Sequence, residues 1–398
     1  MSFLSTKLKL LPPDPIFKAN EEFQASTNSQ KLNLSIGAYT DEDGTVYVLN
    51  TVKEAKAMIL QDSKDTHQYL PITGYPQLND ICGKLIFGDD NSFKNKFVAF
   101  QVLGGTGGFF VGAELLNKYC NLGNVVIPSK TWGSHNSIFG NMNFVITNYK
   151  IEANSDGSLA IDQIVEDLKK CPEKSVVILQ ACCHNPCGLD PEQEGWKRIA
   201  NVIMERNLVP FLDLAYMGFG SLNMADDAWA VRYFASLGID FLVSVSFSKN
   251  FGLYGERIGC LMVFAKDTEC LEALASNVKA IIRCAYSTPP SFGAKIVMKI
   301  FSDDILYRKW QEELKTLTKR VIKVRGMLYE NLKSKGIDWP QITKARGFFF
   351  QSPLSEEQVN RLKADWDLFI LPNGRINMAG LLADRVDDLA AAIKDVST

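Results

Sequence analysis

The stretch FLVSVSFSKNFGLYGERIG, residues 241–259, decides how this chain folds and raises its main chemical question. Its first part, FLVSVSF, is apolar or small at every position, so it predicts a strand covered on both faces, as in a parallel sheet rather than an open antiparallel one. Lys249 then stands at the end of that strand, where an ammonium is costly to desolvate. Small hydroxyls, Ser246 and Ser248, lie just before it, and a second cation, Arg257, follows.

Working outward, the same pattern recurs. The runs FVAFQVLG, VVIP, FVITNY, SVVILQA and LVPFLDLA are short and apolar, and amphipathic stretches such as GFFVGAELLNKY and EGWKRIANVIMERN separate several of them. This alternation predicts an α/β domain with a mostly parallel sheet covered by helices. From about residue 305 the pattern changes to one long amphipathic helix, LYRKWQEELKTLTKRVIKVRGMLYENLKS, followed by shorter mixed elements. The expected division is an N-terminal arm and part of a small domain over residues 1–45, a large domain over 46–304, and a small C-terminal domain over 305–398.

Composition narrows the functional classes. The chain has 398 residues, 46% hydrophobic and 22% charged, with a formal net charge of -2. No cluster of Lys and Arg interleaved with aromatics is present, so nucleic acid is not an expected partner. No apolar run approaches the roughly 20 residues needed to cross a bilayer, so no membrane span is expected. The N-terminus has no apolar h-region, and the first arginine is Arg198, so neither a secretory signal nor an Arg-rich transit peptide is read there. Nine scattered cysteines do not form a disulfide framework in a chain of this length, and the expected compartment is the cytoplasm.

In such a fold, chemistry belongs at the carboxyl ends of the strands. The segment LGGTGG, residues 103–108, leads from a strand into a helix and reads either as a tight turn or as a cradle of backbone N–H groups for an anion. The segment HNPCG, 184–188, reads as a proline turn flanked by buried cysteines. Zinc fits it poorly, because adjacent candidates at 182, 183 and 184 suit no tetrahedral spacing, and no metal is expected. Asn185 is preferred as a polar group facing a ligand. In FLDLAY, 211–216, Asp213 interrupts an apolar strand and needs a cationic or hydrogen-bonding partner, unless it caps the following turn. A lysine in an apolar pocket can lose its proton and form a Schiff base with a carbonyl. An aldehyde for Lys249, a phosphate for the serines, Arg257 and glycine loop, and a pyridine for Asp213 together describe pyridoxal 5'-phosphate.

In HNPCG, DLAY and SFSKNFGLYGERIG the chain resembles the class I, aspartate-type branch of the fold type I pyridoxal-phosphate aminotransferases. The similarity runs from PPDPIF at 12–17 and NLSIGAYTDEDG at 33–44, through QYLPITGY at 68–75 and TWGSHNSIF at 131–139, to GRINMAGL at 374–381. The resemblance implies a large domain with a seven-stranded sheet and a smaller α/β domain. It implies that Lys249 holds the cofactor and then carries the proton, that Asp213 holds the ring nitrogen, and that Tyr216 and Asn185 bond the phenolic oxygen. Trp132 would stack on the ring. Gly105, Thr106, Ser246, Ser248 and Arg257 would hold the phosphate, with Tyr69 from a second subunit of a homodimer. Gly37, Trp132, Asn185 and Arg375 would meet the substrate, Arg375 on its α-carboxylate. Spacing alone reads Arg283 as a surface or interface ion pair, whereas the resemblance makes it a clamp, reaching across the dimer, for the distal carboxylate of a dicarboxylic substrate.

The implied reaction is ping-pong transamination between aspartate and 2-oxoglutarate. A broad-specificity aromatic aminotransferase, and further off a lyase on the same fold, use the same core residues. Several positions depart from the family pattern: Gly104 where a serine is frequent, Gln180 for a histidine, Gln351 for an aromatic, Thr288 and Gly255 for asparagines, and Thr40 for an arginine. His135 is a further candidate support for the ring, from the Trp132 loop.

Overall fold

The structure is a computed structural model that describes residues 8–397; the first seven residues of the expected N-terminal arm lie outside the described residues. The strands are Leu32–Asn33 (β1), Phe97–Leu103 (β2), Asn124–Pro128 (β3), Val145–Tyr149 (β4), Val176–Gln180 (β5) and Val209–Leu214 (β6). Phe241–Ser246 (β7), Ile258–Phe264 (β8), Phe349–Gln351 (β9), Leu368–Phe369 (β10) and Arg375–Asn377 (β11) follow. A 7-stranded sheet in the order β2-β8-β7-β6-β5-β3-β4 forms the centre. All of its strands run parallel except β8, which pairs antiparallel with both β2 and β7.

The unbroken apolar runs have a direct structural reason. Successive side chains of a strand point to opposite faces, and here both faces are buried. Val126, Val177, Leu179, Leu212 and Val243 enter one core cluster, while Val125, Ile178, Phe211 and Leu242 enter another. Helices Gly104–Lys118, Gly133–Asn141 and Leu271–Ala285 cover the second face. Helices Gln193–Glu205, Trp229–Ser236 and Asp304–Ser334 contribute to the first.

The 31-residue helix Asp304–Ser334 matches the long amphipathic pattern. Asp303 caps it, its side chain accepting from the N–H groups of Ile305 at 2.9 Å and Leu306 at 3.0 Å. Its buried residues include Leu306, Trp310, Leu314, Val321, Val324, Leu328 and Leu332, the spacing of one helical face. Trp310 Nε1 donates to the carbonyl of Asn250 at 2.9 Å, which fastens this helix to the loop carrying Lys249. β1 pairs in parallel with β10, Leu32 opposite Leu368, so the N-terminal segment joins the C-terminal one. β9 and β11 form an antiparallel pair that sets Arg375 opposite Gln351.

Glycines let the first helix after β2 lie close on the sheet. A Cβ on Gly112 would stand 2.5 Å from Cζ of Phe211, and one on Gly108 would stand 2.2 Å from Oγ of Ser244. Two effects oppose each other at Gly112. Alanine gains about 1 kcal/mol of helix propensity over glycine, whereas overpacking a core contact costs about 1–3 kcal/mol. The rigid Phe211 ring makes the second effect larger, so Gly112→Ala is expected to lower stability in urea unfolding by about 1–2 kcal/mol. A stabilised variant would show that the helix has room to lift away from the sheet.

Candidate active site

The parallel strands bring their carboxyl ends to one edge, and the residues just beyond those ends enclose a cavity of about 210 Å³. Gly105 and Thr106 follow β2, Trp132 follows β3, and Gln180 and Asn185 come from the end of β5 and its loop. Asp213, Ala215 and Tyr216 come from β6 and beyond it, and Ser246, Ser248, Lys249 and Arg257 from the β7–β8 segment. Ala215, a wall of this cavity, is not signalled in the sequence, whereas the resemblance places Gln180 behind Asp213 in the position of a histidine. The sheet register sets Gln180 opposite Asp213.

One end of the cavity suits an anion. Helix Gly104–Lys118 begins there, and the first N–H groups of a helix have no partner within it. Ser244 Oγ donates to the carbonyl of Gly105 at 3.1 Å and holds this turn down on β7. Arg257 is anchored by bonds from Nη1 to the carbonyl of Tyr254 at 2.9 Å and from Nη2 to the carbonyl of Leu103 at 3.2 Å. Ser246 Oγ accepts from the N–H of Ser248 at 3.3 Å. Gly104 has φ +66, and a Cβ there would stand 2.6 Å from Arg257 Nη2. Glycine at this position therefore leaves the guanidinium its room, a physical reason for the missing serine.

At the other end lie the titratable groups. Lys249 is brought down from its usual value to about 8, first by desolvation and then by the nearby Arg257 and Arg375, with Asp213 opposing. Its Nζ lies 5.0 Å from the centre of the Tyr216 ring. Burial pushes the Tyr216 hydroxyl up, partly countered by Arg375. Behind Asp213 lies His135, whose Nε2 stands 3.4 Å from Oδ2. The Nε2 atom makes no aligned hydrogen bond. Trp132 meets His135 edge to face, with ring centres 5.3 Å apart.

The loop after β5 is pinned at successive backbone groups. Asp190 accepts from the N–H of Cys183 at 2.7 Å and of His184 at 2.9 Å. Gln180 Oε1 accepts from the N–H of Asn185 at 2.8 Å. Burial pushes the Asp190 carboxyl up to about 6 despite these bonds. Asn185 then presents Oδ1 to Arg375 Nη1 at 3.2 Å. Arg375 also donates from Nη2 to the carbonyl of Ser35 at 2.6 Å, lies 4.2 Å over the Phe349 ring, and keeps a buried Nε without a partner. Burial lowers its guanidinium to about 10. Gly37 lies beneath the same ring, since a Cβ there would stand 2.9 Å from Phe349 Cζ.

The structure does not bring every expected residue to this cavity. Tyr69 is 87% exposed, and Arg283 lies exposed near the end of helix Leu271–Ala285, where it donates to Ser287. Cys182, Cys183 and Cys187 are buried free thiols, and the Cys187 sulfur lies 3.1 Å from His184 Nδ1. No group of three or more His, Cys, Asp or Glu among the described residues is placed to hold a metal ion. Nor is any helix among them long and apolar enough to cross a membrane.

A parallel α/β sheet with a lysine, an aspartate and an anion cradle at one edge defines a class of enzymes that hold a phosphorylated pyridine aldehyde. The chain belongs to the family of class I and II aminotransferases, whose model matches residues 29–393. It is 40% identical to the mitochondrial aspartate aminotransferase of Gallus gallus over 391 residues, covering 97% of this chain and 92% of that protein. The aromatic-amino-acid aminotransferase of Burkholderia pseudomallei, solved with pyridoxal phosphate covalently bound, superimposes with TM-score 0.95 at 36% identity and covers 100% of both chains. The cytoplasmic aspartate aminotransferase of Saccharomyces cerevisiae gives TM-score 0.95 at 34% identity, over 100% of this chain and 99% of that one.

The groups present fit pyridoxal phosphate. A cradle of helix N–H groups, serines and Arg257 matches its phosphate, the acidic Asp213 its ring nitrogen, and the lowered Lys249 its aldehyde. In protein freed of cofactor, the rate of Lys249 labelling by an amine-directed reagent should rise with pH through a midpoint of about 8. Asp213→Asn removes the carboxylate that opposes deprotonation, so it should move that midpoint lower; an upward or absent shift would contradict the electrostatic arrangement described.

Proposed function

We propose that this protein transfers the amino group of L-aspartate to 2-oxoglutarate, giving oxaloacetate and L-glutamate, with pyridoxal 5'-phosphate as resident cofactor. The observation that carries the reading is the meeting of Lys249, Asp213 and the anion cradle in one cavity, with Arg375 joined to its wall through Asn185. When bound, the cofactor supplies an aldehyde that takes up the amino group and a ring that withdraws electrons from the substrate. Gly105, Thr106, Ser246, Ser248 and Arg257 hold its phosphate, and Asp213 holds the ring nitrogen. Trp132 covers a ring face, and Tyr216 and Asn185 bond the phenolic oxygen.

Arg375 grips the substrate α-carboxylate through charge-assisted bonds, and its buried Nε, which lacks a partner, supports this role. That grip fixes the Cα–H bond relative to Lys249, whose Nζ takes the proton from Cα and later returns it. A lysine near 8 is partly neutral at physiological pH and so able to accept that proton. Aspartate leaves as oxaloacetate before 2-oxoglutarate enters, takes up the amino group and leaves as glutamate.

Arg283 and Tyr69 serve the active site of a second copy in a homodimer, Arg283 on the distal carboxylate and Tyr69 on the phosphate. Their exposure supports this assignment, as does an N-terminal arm with Leu8, Leu10 and Leu11 open to solvent. The pairing of β1 with β10 supports a small domain built from residues 1–45 and 305–398, around a large domain of 46–304. Free cysteines support a reducing compartment, here the cytoplasm, the compartment named for the yeast structure. The likeness to the Burkholderia enzyme favours a second reading, in which aromatic amino acids are also substrates.

A spectrum of the holoenzyme separates these readings. Aspartate alone should bleach the cofactor's absorption and 2-oxoglutarate should restore it. Arg283→Leu should reduce kcat/KM for aspartate by roughly a hundredfold or more, as losing a charge-assisted contact of about 3 kcal/mol implies, while leaving turnover of an aromatic substrate nearly unchanged. Bleaching by tyrosine or phenylalanine but not by aspartate would overturn the dicarboxylate assignment.

A further inference from the structure

Gln180 holds the site together in a way that its place as a substitution for histidine does not suggest. Its amide is oriented by Asn185 alone: Oε1 accepts from the Asn185 N–H at 2.8 Å, and Nε2 donates to the Asn185 carbonyl at 3.0 Å. Exchanging the amide's oxygen and nitrogen would set donor against donor and acceptor against acceptor. The second hydrogen on Nε2 is therefore committed to the remaining neighbour, Thr131 Oγ1, at 3.3 Å.

The consequence propagates. Thr131 Oγ1 lies 2.8 Å from His135 Nδ1. A hydroxyl has one hydrogen and two acceptor lone pairs; of the two side-chain atoms bonded to Oγ1, Gln180 Nε2 is a donor, so His135 Nδ1 is the one able to take that hydrogen. His135 Nδ1 is then an acceptor and carries no hydrogen. The ring's hydrogen sits on Nε2, which faces Asp213 Oδ2 at 3.4 Å. His135 is fully buried, between Phe109 at a ring-centre distance of 4.5 Å and Trp132, so bulk water does not compete for either nitrogen.

We propose that Gln180 is a positioning residue that sets the direction of every hydrogen between Asn185 and Asp213, and so holds His135 as the tautomer with Nε2–H toward Asp213. An imidazole in place of Gln180 changes its donors and acceptors when it titrates; an amide does not. The chain thus sets an N–H rather than a lone pair behind Asp213 Oδ2, 3.4 Å away and short of an aligned hydrogen bond, and leaves the carboxylate's lone pairs for the ring nitrogen. The same amide sets the Asn185 backbone, and hence the Asn185 side chain on Arg375. The proposal rests on the function proposed above only in treating Asp213 as the partner of the cofactor ring.

The test is ¹⁵N NMR of histidine-labelled holoenzyme, with His135 assigned by its loss in His135→Asn. The expected result is an unprotonated Nδ1 and a protonated Nε2. In Gln180→Glu the side chain still accepts from the Asn185 N–H but has no hydrogen for Thr131. The Thr131 hydroxyl should turn to the carboxylate, and His135 Nδ1 should move to the protonated range. A hydrogen on Nδ1 in the unmodified enzyme, or an unchanged Nδ1 in folded Gln180→Glu, overturns the proposal. Should that variant not fold, neutron diffraction of the unmodified enzyme decides: deuterium on Thr131 Oγ1 pointing at Nδ1 supports the order, and deuterium on Nδ1 overturns it. An enzyme that bleaches with aspartate yet carries hydrogen on Nδ1 keeps its function and loses only this proton order.

Discussion

The constraint on which the rest depends is the desolvation of the Lys249 amine at the carboxyl edge of a parallel sheet. An ammonium there is unfavourable enough to bring Lys249 down to about 8, and Asp213 on the adjacent strand keeps it from falling further. That balance requires both strands to be buried on both faces. The interior therefore needs unbroken apolar runs, helices on either side, and glycines where the helix after β2 lies against Phe211 and Ser244. The architecture is in this sense a means of holding one amine and one carboxylate close in a site that excludes most water.

Recognition of the substrate depends on elements outside that sheet. Arg375 opens β11, far along the chain from Lys249, and is joined to the cavity wall through Asn185, while the carbonyl of Ser35 anchors its other Nη. Phe349 and Gly37 complete its seat, one by stacking and the other by leaving space for the ring. The guanidinium is thus fixed before a carboxylate arrives, which lowers the ordering cost of binding. The helix Asp304–Ser334, bonded through Trp310 to Asn250, ties the C-terminal region to the loop that bears the lysine.

Much of this was legible in the sequence because the physics is local. FLVSVSF and its counterparts announce strands covered on both faces, and Lys249, Asp213, Asn185 and Thr106 each stand just past or at such a strand's end. What stayed hidden depends on register and on the third dimension. The resemblance puts Gln180 behind Asp213, but its bonds to Asn185 and Thr131 follow only from the folded loop. The role of Gly104 in making room for Arg257 follows from a left-handed backbone angle that no local pattern reports. Arg283 and Tyr69 were named through the resemblance, and within one chain they face solvent.

Whether Lys249 holds the carbonyl can be read chemically. Reducing the purified protein with borohydride, digesting it and sequencing the peptides by mass spectrometry locates any covalently held carbonyl. A single pyridoxyl-phosphate group fixed to the nitrogen of Lys249 is expected. A label on another lysine, or a protein that takes up no label after incubation with pyridoxal 5'-phosphate, would contradict it.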